Sequence, residues 1–190
     1  MTGKSARWLS RGLVLAAALW GLTLVANGLY MPAKAWAGQI LLKQAWHDGQ
    51  RAPWPGADIR PVARLIVPKL DRELFVLDSA SGKAMAWGLG HVQGTPAPGQ
   101  PGLSAIGGHR DTHLTLLRDI GPGDALIVEG PAGTITRFQI THAEVVDSRT
   151  WRYPTVTEGP ARLALTTCWP LEATEPGALR LVVYADAPHD

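Results

Sequence analysis

The 190-residue chain has one cysteine, two phenylalanines, three tyrosines and no acidic residue before Asp48. A single cysteine excludes an intrachain disulfide framework, so any stability must come from packing. Basic and acidic residues nearly balance, 18 Lys and Arg against 16 Asp and Glu, and no basic run stands out. Nucleic acid is therefore a poor partner. Tryptophan is the exception to the shortage of aromatics, and five of the eight (Trp8, Trp20, Trp36, Trp46, Trp54) fall in the first third of the chain. That skew is expected near a membrane interface.

What the N-terminus does have is a long apolar run. Gly12 to Tyr30, GLVLAAALWGLTLVANGLY, carries no charge, and only Thr23 and Asn27 are strongly polar. At about 1.5 Å per residue a helix of this length covers most of a ~30 Å hydrocarbon core. Lys4, Arg7 and Arg11 precede it, so the positive-inside bias sets Met1 in the cytoplasm and the body outside. Two fates are open: an uncleaved signal-anchor, or a signal peptide cut at the small-x-small site Ala35–Ala37. The length of the run favours the anchor, and under both readings the body leaves the cytoplasm. The expected division is a basic tail over 1–11, a span over 12–30, a juxtamembrane linker over 31–61 and a globular domain over 62–190.

Within the linker, Trp36, Ile40, Leu41 and Ala45 follow helical spacing, and the prolines of RAPWPGADIRP then end the helix. From Ala63 onward short apolar runs alternate with Gly/Pro turns, the pattern of a mainly β domain. The runs are ARLIV, ELFVLD, LSAIGG, DALIVEG, TITRFQITHAEVV, ARLALTTC and ALRLVVYA; THLTLLRDI reads as one short helix.

The lone Cys168 closes the run ARLALTTC. Alternation puts Leu163 and Leu165 on one face and Ala164, Thr166 and Cys168 on the other. In ALRLVVYA, Leu179, Leu181 and Val183 share one face, and Arg180, Val182 and Tyr184 the other. With the leucine faces in the core, an antiparallel pair symmetric about Thr174 sets Cys168 opposite Arg180, on a groove open to solvent. A cation beside a thiol lowers its pKa and can hold an oxyanion. A packing cysteine beside a solvated arginine is the plainer reading of these two residues alone. A third group comes from SAIGGHRDTH, where His109 follows a strand ending in Gly107-Gly108 and is well placed for proton transfer. His109 and His113 also have the i, i+4 spacing of zinc ligands, but no third ligand is evident.

These features together resemble the sortase family of cysteine transpeptidases. The resemblance spans roughly residues 60–187 and rests on GHRDTHLTLLRDIGPGDALIV and LALTTCWP. Ala164 departs from the family's TLxTC strand, which usually begins with Thr; Leu165, Thr167 and Cys168 match it. TTCWP with GHRDTH is most similar to the sortases of Gram-negative proteobacteria. The resemblance implies a closed β-barrel of about eight strands with short helices, behind one transmembrane helix in the inner membrane, with the domain in the periplasm. It implies that Cys168 attacks a C-terminal, LPxTG-like sorting signal on a secreted protein and forms a thioacyl-enzyme. His109 then shuttles the proton, Arg180 holds the oxyanion, and an amine acceptor takes the acyl group. No cofactor or metal enters. Thr167 is a candidate substrate contact on the Cys strand, as are Trp151 and Tyr153 from the loop before it. One reactive thiol also explains the single cysteine, because a second one outside the cytoplasm would pair with it.

Two other readings stay in view. L,D-transpeptidases also use Cys, His and Arg, but keep His and Cys close in an S-H-G-C-type motif, whereas here they are 59 residues apart. The other is a catalytically silent, membrane-tethered binding domain. The order His then Cys sets aside papain-like proteases.

Overall fold

The computed structural model describes residues 3–188. Eight strands follow one long helix, α1 (Gly3–His47): β1 (Pro61–Val67), β2 (Arg72–Leu77), β3 (Leu89–His91), β4 (Gly102–Gly107), β5 (Ala125–Glu129), β6 (Ile135–Asp147), β7 (Ala161–Cys168) and β8 (Leu179–Asp186). They close into a barrel in the order β1-β2-β3-β4-β7-β8-β6-β5, with β5 completing the ring against β1. Seven of the strands coincide with the seven apolar runs of the sequence. The eighth, β3, is too short for its periodicity to register. The expected helix at THLTLLRDI is a 3₁₀ helix over His113–Arg118, and a single turn, α2 (Gly82–Met85), lies between β2 and β3.

Alternation builds the barrel interior. Leu65 and Val67 of β1, Leu74 and Val76 of β2, Leu163 and Leu165 of β7, and Leu181 and Val183 of β8 all enter one core, with Phe138 and Ile140 of β6. Burying each such side chain is worth roughly 1.5–3 kcal/mol. Strands β4 and β7 are buried on both faces, because their outer sides are roofed. Leu103, Ala164, Val182 and Tyr184 form a second, smaller core beneath Trp151, Tyr153 and Val156 of the β6–β7 loop. The loop is tied down by backbone bonds from Leu103 N to Val156 O (2.7 Å) and from Gly102 N to Pro160 O (3.3 Å). The groove expected on this face is therefore open only at its Cys168 end.

The N-terminal part departs further from expectation. Residues 12–30 are helical, but α1 runs unbroken through the expected linker to His47. Among the described residues no helix is long and apolar enough to cross a membrane. Val14, Leu19, Trp20, Leu24 and Leu29 are all exposed. The side chain of Trp8, like those of Lys4 and Arg7, lies outside the described residues.

The last turns of α1 dock on the outer face of β2. Leu42, Trp46 and Ile59 pack with Phe75, Leu77 and Ala84, and Trp54 lies against Trp87 with ring centroids 4.6 Å apart. Trp46 and Trp54 are thus packing residues, not interface anchors. Gln39 straddles the junction: it donates to Trp87 O (2.9 Å) and accepts from Phe75 N (3.1 Å), filling a ladder position that β3 does not reach. Gly38 permits the approach, since a Cβ there would stand 2.8 Å from Trp87 O.

Two truncations separate this docked segment from the exposed one. A chain beginning at Gly38 keeps every contact just described and should unfold at the temperature of a chain beginning at Arg11. A chain beginning at Pro61 loses Leu42, Trp46 and Ile59 and should be less stable by roughly 5 kcal/mol, taking each at its burial value. Thermal unfolding followed by circular dichroism tests this; equal midpoints for the Gly38 and Pro61 chains would mean that α1 merely rests on the barrel.

Candidate active site

The two partners of β7 determine which side chains meet. Against β8 the ladder is antiparallel, running from Arg162–Asp186 to Cys168–Arg180, the register expected from the sequence. Against β4 it is parallel, with Gly102 facing Ala161 and Gly107 facing Thr166, a constant offset of 59 positions. His109 and Cys168 stand 59 positions apart, so the chain leaving β4 carries His109 to the level of Cys168. Two bonds extend the alignment past the ladder: Gly108 N donates to Thr166 O (3.1 Å), and Thr167 Oγ1 donates to Gly108 O (2.8 Å).

Gly108 leaves no room for a side chain. A Cβ there would lie 2.7 Å from Leu89 Cδ2 and 2.9 Å from Leu114 Cγ. Pressed between β3 and the 3₁₀ helix, the backbone turns and sends His109 outward.

His109, Cys168 and Arg180 line one cavity of about 470 Å³, with Tyr153, Thr166, Thr167, Met85 and Val92 among its walls. All three are partly exposed. Arg180 Nη1 donates to the carbonyls of Gly177 (2.6 Å) and Leu179 (2.8 Å), while its Nε and Nη2 have no acceptor among the described residues. A nucleophilic thiol, an imidazole and a guanidinium with free donors on one cavity are the parts of an acyl-transfer site. Among the described residues no three His, Cys, Asp or Glu side chains are grouped to hold a metal.

The other candidate contacts divide. Thr167 is buried, and its hydroxyl is spent on Gly108, so it positions the histidine turn although it borders the cavity. Tyr153 does wall the cavity, and burial pushes its hydroxyl pKa above the ordinary value, with the Thr166 hydroxyl and then the Arg180 charge acting the other way. Trp151 packs edge-on against Tyr153 at 4.8 Å and is not a cavity wall. Sequence reasoning missed Thr166, a cavity wall beside the Tyr153 hydroxyl, although it lies on the Cys168 face of its strand. Met85 and Val92 were also missed, because their loops have no periodicity to read.

His113 faces a different environment. It is 4% exposed, opens the 3₁₀ helix, and its Nε2 has no hydrogen-bond partner among the described residues. Burial holds its pKa down to about 4; the charges of His109 and Arg72 act the same way and that of Asp111 against them.

Comparison with known proteins agrees with this fold. Residues 65–187 match the sequence model of one protein family, described as the sortase domain. A protein of Bacillus subtilis, sortase D, is 27% identical over 120 residues, which cover 63% of this chain and 60% of that protein. Among solved structures, sortase A of Corynebacterium diphtheriae, a lid mutant, superposes with a TM-score of 0.60 at 19% identity, covering 83% of this chain and 95% of that one. Sortase C1 of group B Streptococcus pilus island 1 gives 0.59 at 20% identity, covering 68% and 65%. At these identities the structural likeness is one of fold. The matched part of this chain spans under two thirds of the Bacillus and streptococcal proteins, and these relatives give no support to the proteobacterial subgroup.

The buried imidazole generates a pH dependence. An unfolded chain protonates His113 near pH 6.5 and the folded one only near pH 4, so the unfolded state holds more protons between those values. Stability should therefore fall as pH drops through that window, by on the order of 3 kcal/mol for this group. His113→Gln should flatten the dependence of unfolding free energy on pH between about 6.5 and 4. An unchanged slope would show that the ring is not held neutral by burial.

Proposed function

The chain belongs to the sortase family, and from that premise we propose that it is a membrane-anchored cysteine transpeptidase acting on an LPxTG-like C-terminal sorting signal. The observation that carries this reading is the shared offset of β4 and β7, which brings His109 to the level of Cys168 while β8 sets Arg180 opposite. Cys168 gives its thiol proton to His109, the resulting thiolate attacks the carbonyl carbon of the scissile peptide bond, and the carbonyl electrons move onto oxygen. Arg180, through Nε and Nη2, receives that oxyanion. Collapse of the tetrahedral intermediate expels the amine, which His109 protonates, and leaves a thioester on Cys168. His109 then takes a proton from the incoming amine as it attacks the thioester, and passes it to the departing Cys168 sulfur, so the new amide leaves with the thiol regenerated. Water competes as acceptor.

The substrate in this reading is a secreted protein and the acceptor an amine presented outside the cytoplasm. Gly12–Tyr30 forms a single-pass anchor in the inner membrane, with the barrel in the periplasm. Its support is the uncharged run behind Lys4, Arg7 and Arg11, and the exposed apolar side chains along α1. The docked Gly38–His47 turns would then hold the barrel close to the bilayer. The proteobacterial assignment rests on TTCWP and GHRDTH alone.

Turnover of a fluorogenic sorting peptide tests the roles, with circular dichroism confirming that each variant folds. His109→Ala should lose ~10²–10⁴-fold, the usual worth of general acid–base help. His113→Ala should lose far less, because that ring is enclosed away from the cavity. Arg180→Lys should lose most turnover, since a point charge cannot reproduce the planar fork of donors. A dead His113→Ala beside an active His109→Ala would exchange the two assignments, and near-native turnover of Arg180→Lys would reduce Arg180 to a general electrostatic role.

A further inference from the structure

The segment joining Cys168 to Arg180 carries two of the three site residues at its ends, yet most of it is exposed and without regular structure. Its own backbone bonds are few: Trp169 N to Leu179 O (3.0 Å) at the mouth and Ala173 N to Pro170 O (3.3 Å) within. Ser148 holds its Arg180 end at Ala178 O, and the rest of what fixes it comes from the histidine segment. Arg110, next to His109, reaches across with both terminal nitrogens. Its Nη1 donates to Pro170 O (3.3 Å) and its Nη2 to Glu175 O (2.8 Å). Arg118, at the end of the 3₁₀ helix, donates to Leu171 O (2.5 Å), and Leu171 is buried in the barrel core.

The two carbonyls held by Arg110 lie on opposite limbs of the loop. Pro170 is two residues beyond Cys168. Glu175 is two residues before Gly177, whose carbonyl holds the Arg180 guanidinium. One planar side chain thus spans the loop and links the backbone beside His109 to both flanks of the Cys168–Arg180 pair. Arg118 adds a hold on the Cys168 limb alone.

We propose that Arg110 is a positioning residue: it straps the β7–β8 loop to the histidine turn and so sets where the Arg180 guanidinium stands relative to Cys168 and His109. The effect on the reaction rests on the transpeptidase reading; the strap itself does not. Without Arg110 the Glu175 limb is held among the described residues only at its far end, where Ser148 N (2.9 Å) and Oγ (2.7 Å) donate to Ala178 O. Gly177 then moves with that limb, and Arg180 follows its acceptor. A lysine keeps the charge but cannot bond two divergent carbonyls through one fixed plane.

The test compares the wild-type chain, Arg110→Ala and Arg110→Lys by two readouts. The first is amide hydrogen exchange. Arg110→Ala should speed exchange about tenfold at Ala173, whose amide bonds to the same Pro170 carbonyl that Arg110 holds, and leave β4, β7 and β8 unchanged, as loss of a local tether does. The second is turnover of a sorting peptide per alkylatable Cys168, which corrects for any misfolded fraction. Arg180 is engaged in the transition state, so Arg110→Ala should lower kcat by ~10–10²-fold with little change in KM. Arg110→Lys should fall between. Unchanged exchange at Ala173 overturns the strap. Faster exchange with wild-type kcat, or a loss seen in KM alone, overturns the positioning role. A wild-type chain that turns over no sorting peptide counts against the transpeptidase reading, while the exchange comparison still decides the strap.

Discussion

The parallel ladder between β4 and β7 is the constraint on which the site depends. Parallel strands advance together, so a fixed offset set deep in the barrel is carried unchanged to the ends of both strands. Here that offset is 59 positions, and it delivers His109 and Cys168 to one level at the open end of the barrel. The buried bond from Thr167 Oγ1 to Gly108 O extends the alignment beyond the last ladder pair. Breaking it would leave a buried carbonyl without its donor, which typically costs about 1–3 kcal/mol. The hydroxyl of the residue before the cysteine is thus engaged in holding the histidine turn.

Everything else around the cavity is arranged about β7. Its other partner, β8, supplies Arg180 from the antiparallel side, so the three proposed reacting groups come from the two segments flanking one strand and from that strand's own end. The β6–β7 loop roofs the outer face up to Tyr153 and leaves only the Cys168 end uncovered. A thiol at the mouth of a doubly buried strand has a rigid base and an open front. Both are needed to hold a reacting atom within a fraction of an ångström.

The legible parts of this arrangement are the local ones. The Cys168–Arg180 pairing could be read because β7 and β8 are consecutive, each with a clean alternation, and a hairpin has a symmetric register. Seven strands were legible as alternating runs, and closure into a barrel came from family resemblance. The link from His109 to Cys168 was not legible in the residues themselves, because nothing in β4 states which distant strand it will pair with, or in which direction. The docking of α1 was hidden for another reason. Trp46, Trp54 and Leu42 read equally well as membrane-proximal residues, and only the apolar outer face of β2, with Phe75 and Leu77 on it, shows why they pack there. Tyr153 and Trp151 looked alike in sequence, yet their neighbours separate them into a cavity wall and its support.

Intact-mass spectrometry of the full chain mixed with an LPxTG-like peptide tests the central claim most directly. The account predicts a covalent adduct of the peptide's N-terminal fragment on Cys168, formed with loss of the C-terminal amine fragment and discharged on adding a small amine as the matching amide. Cleavage products appearing without any adduct at Cys168 in the presence or absence of amine, while a small alkylating reagent still labels that thiol, would contradict it.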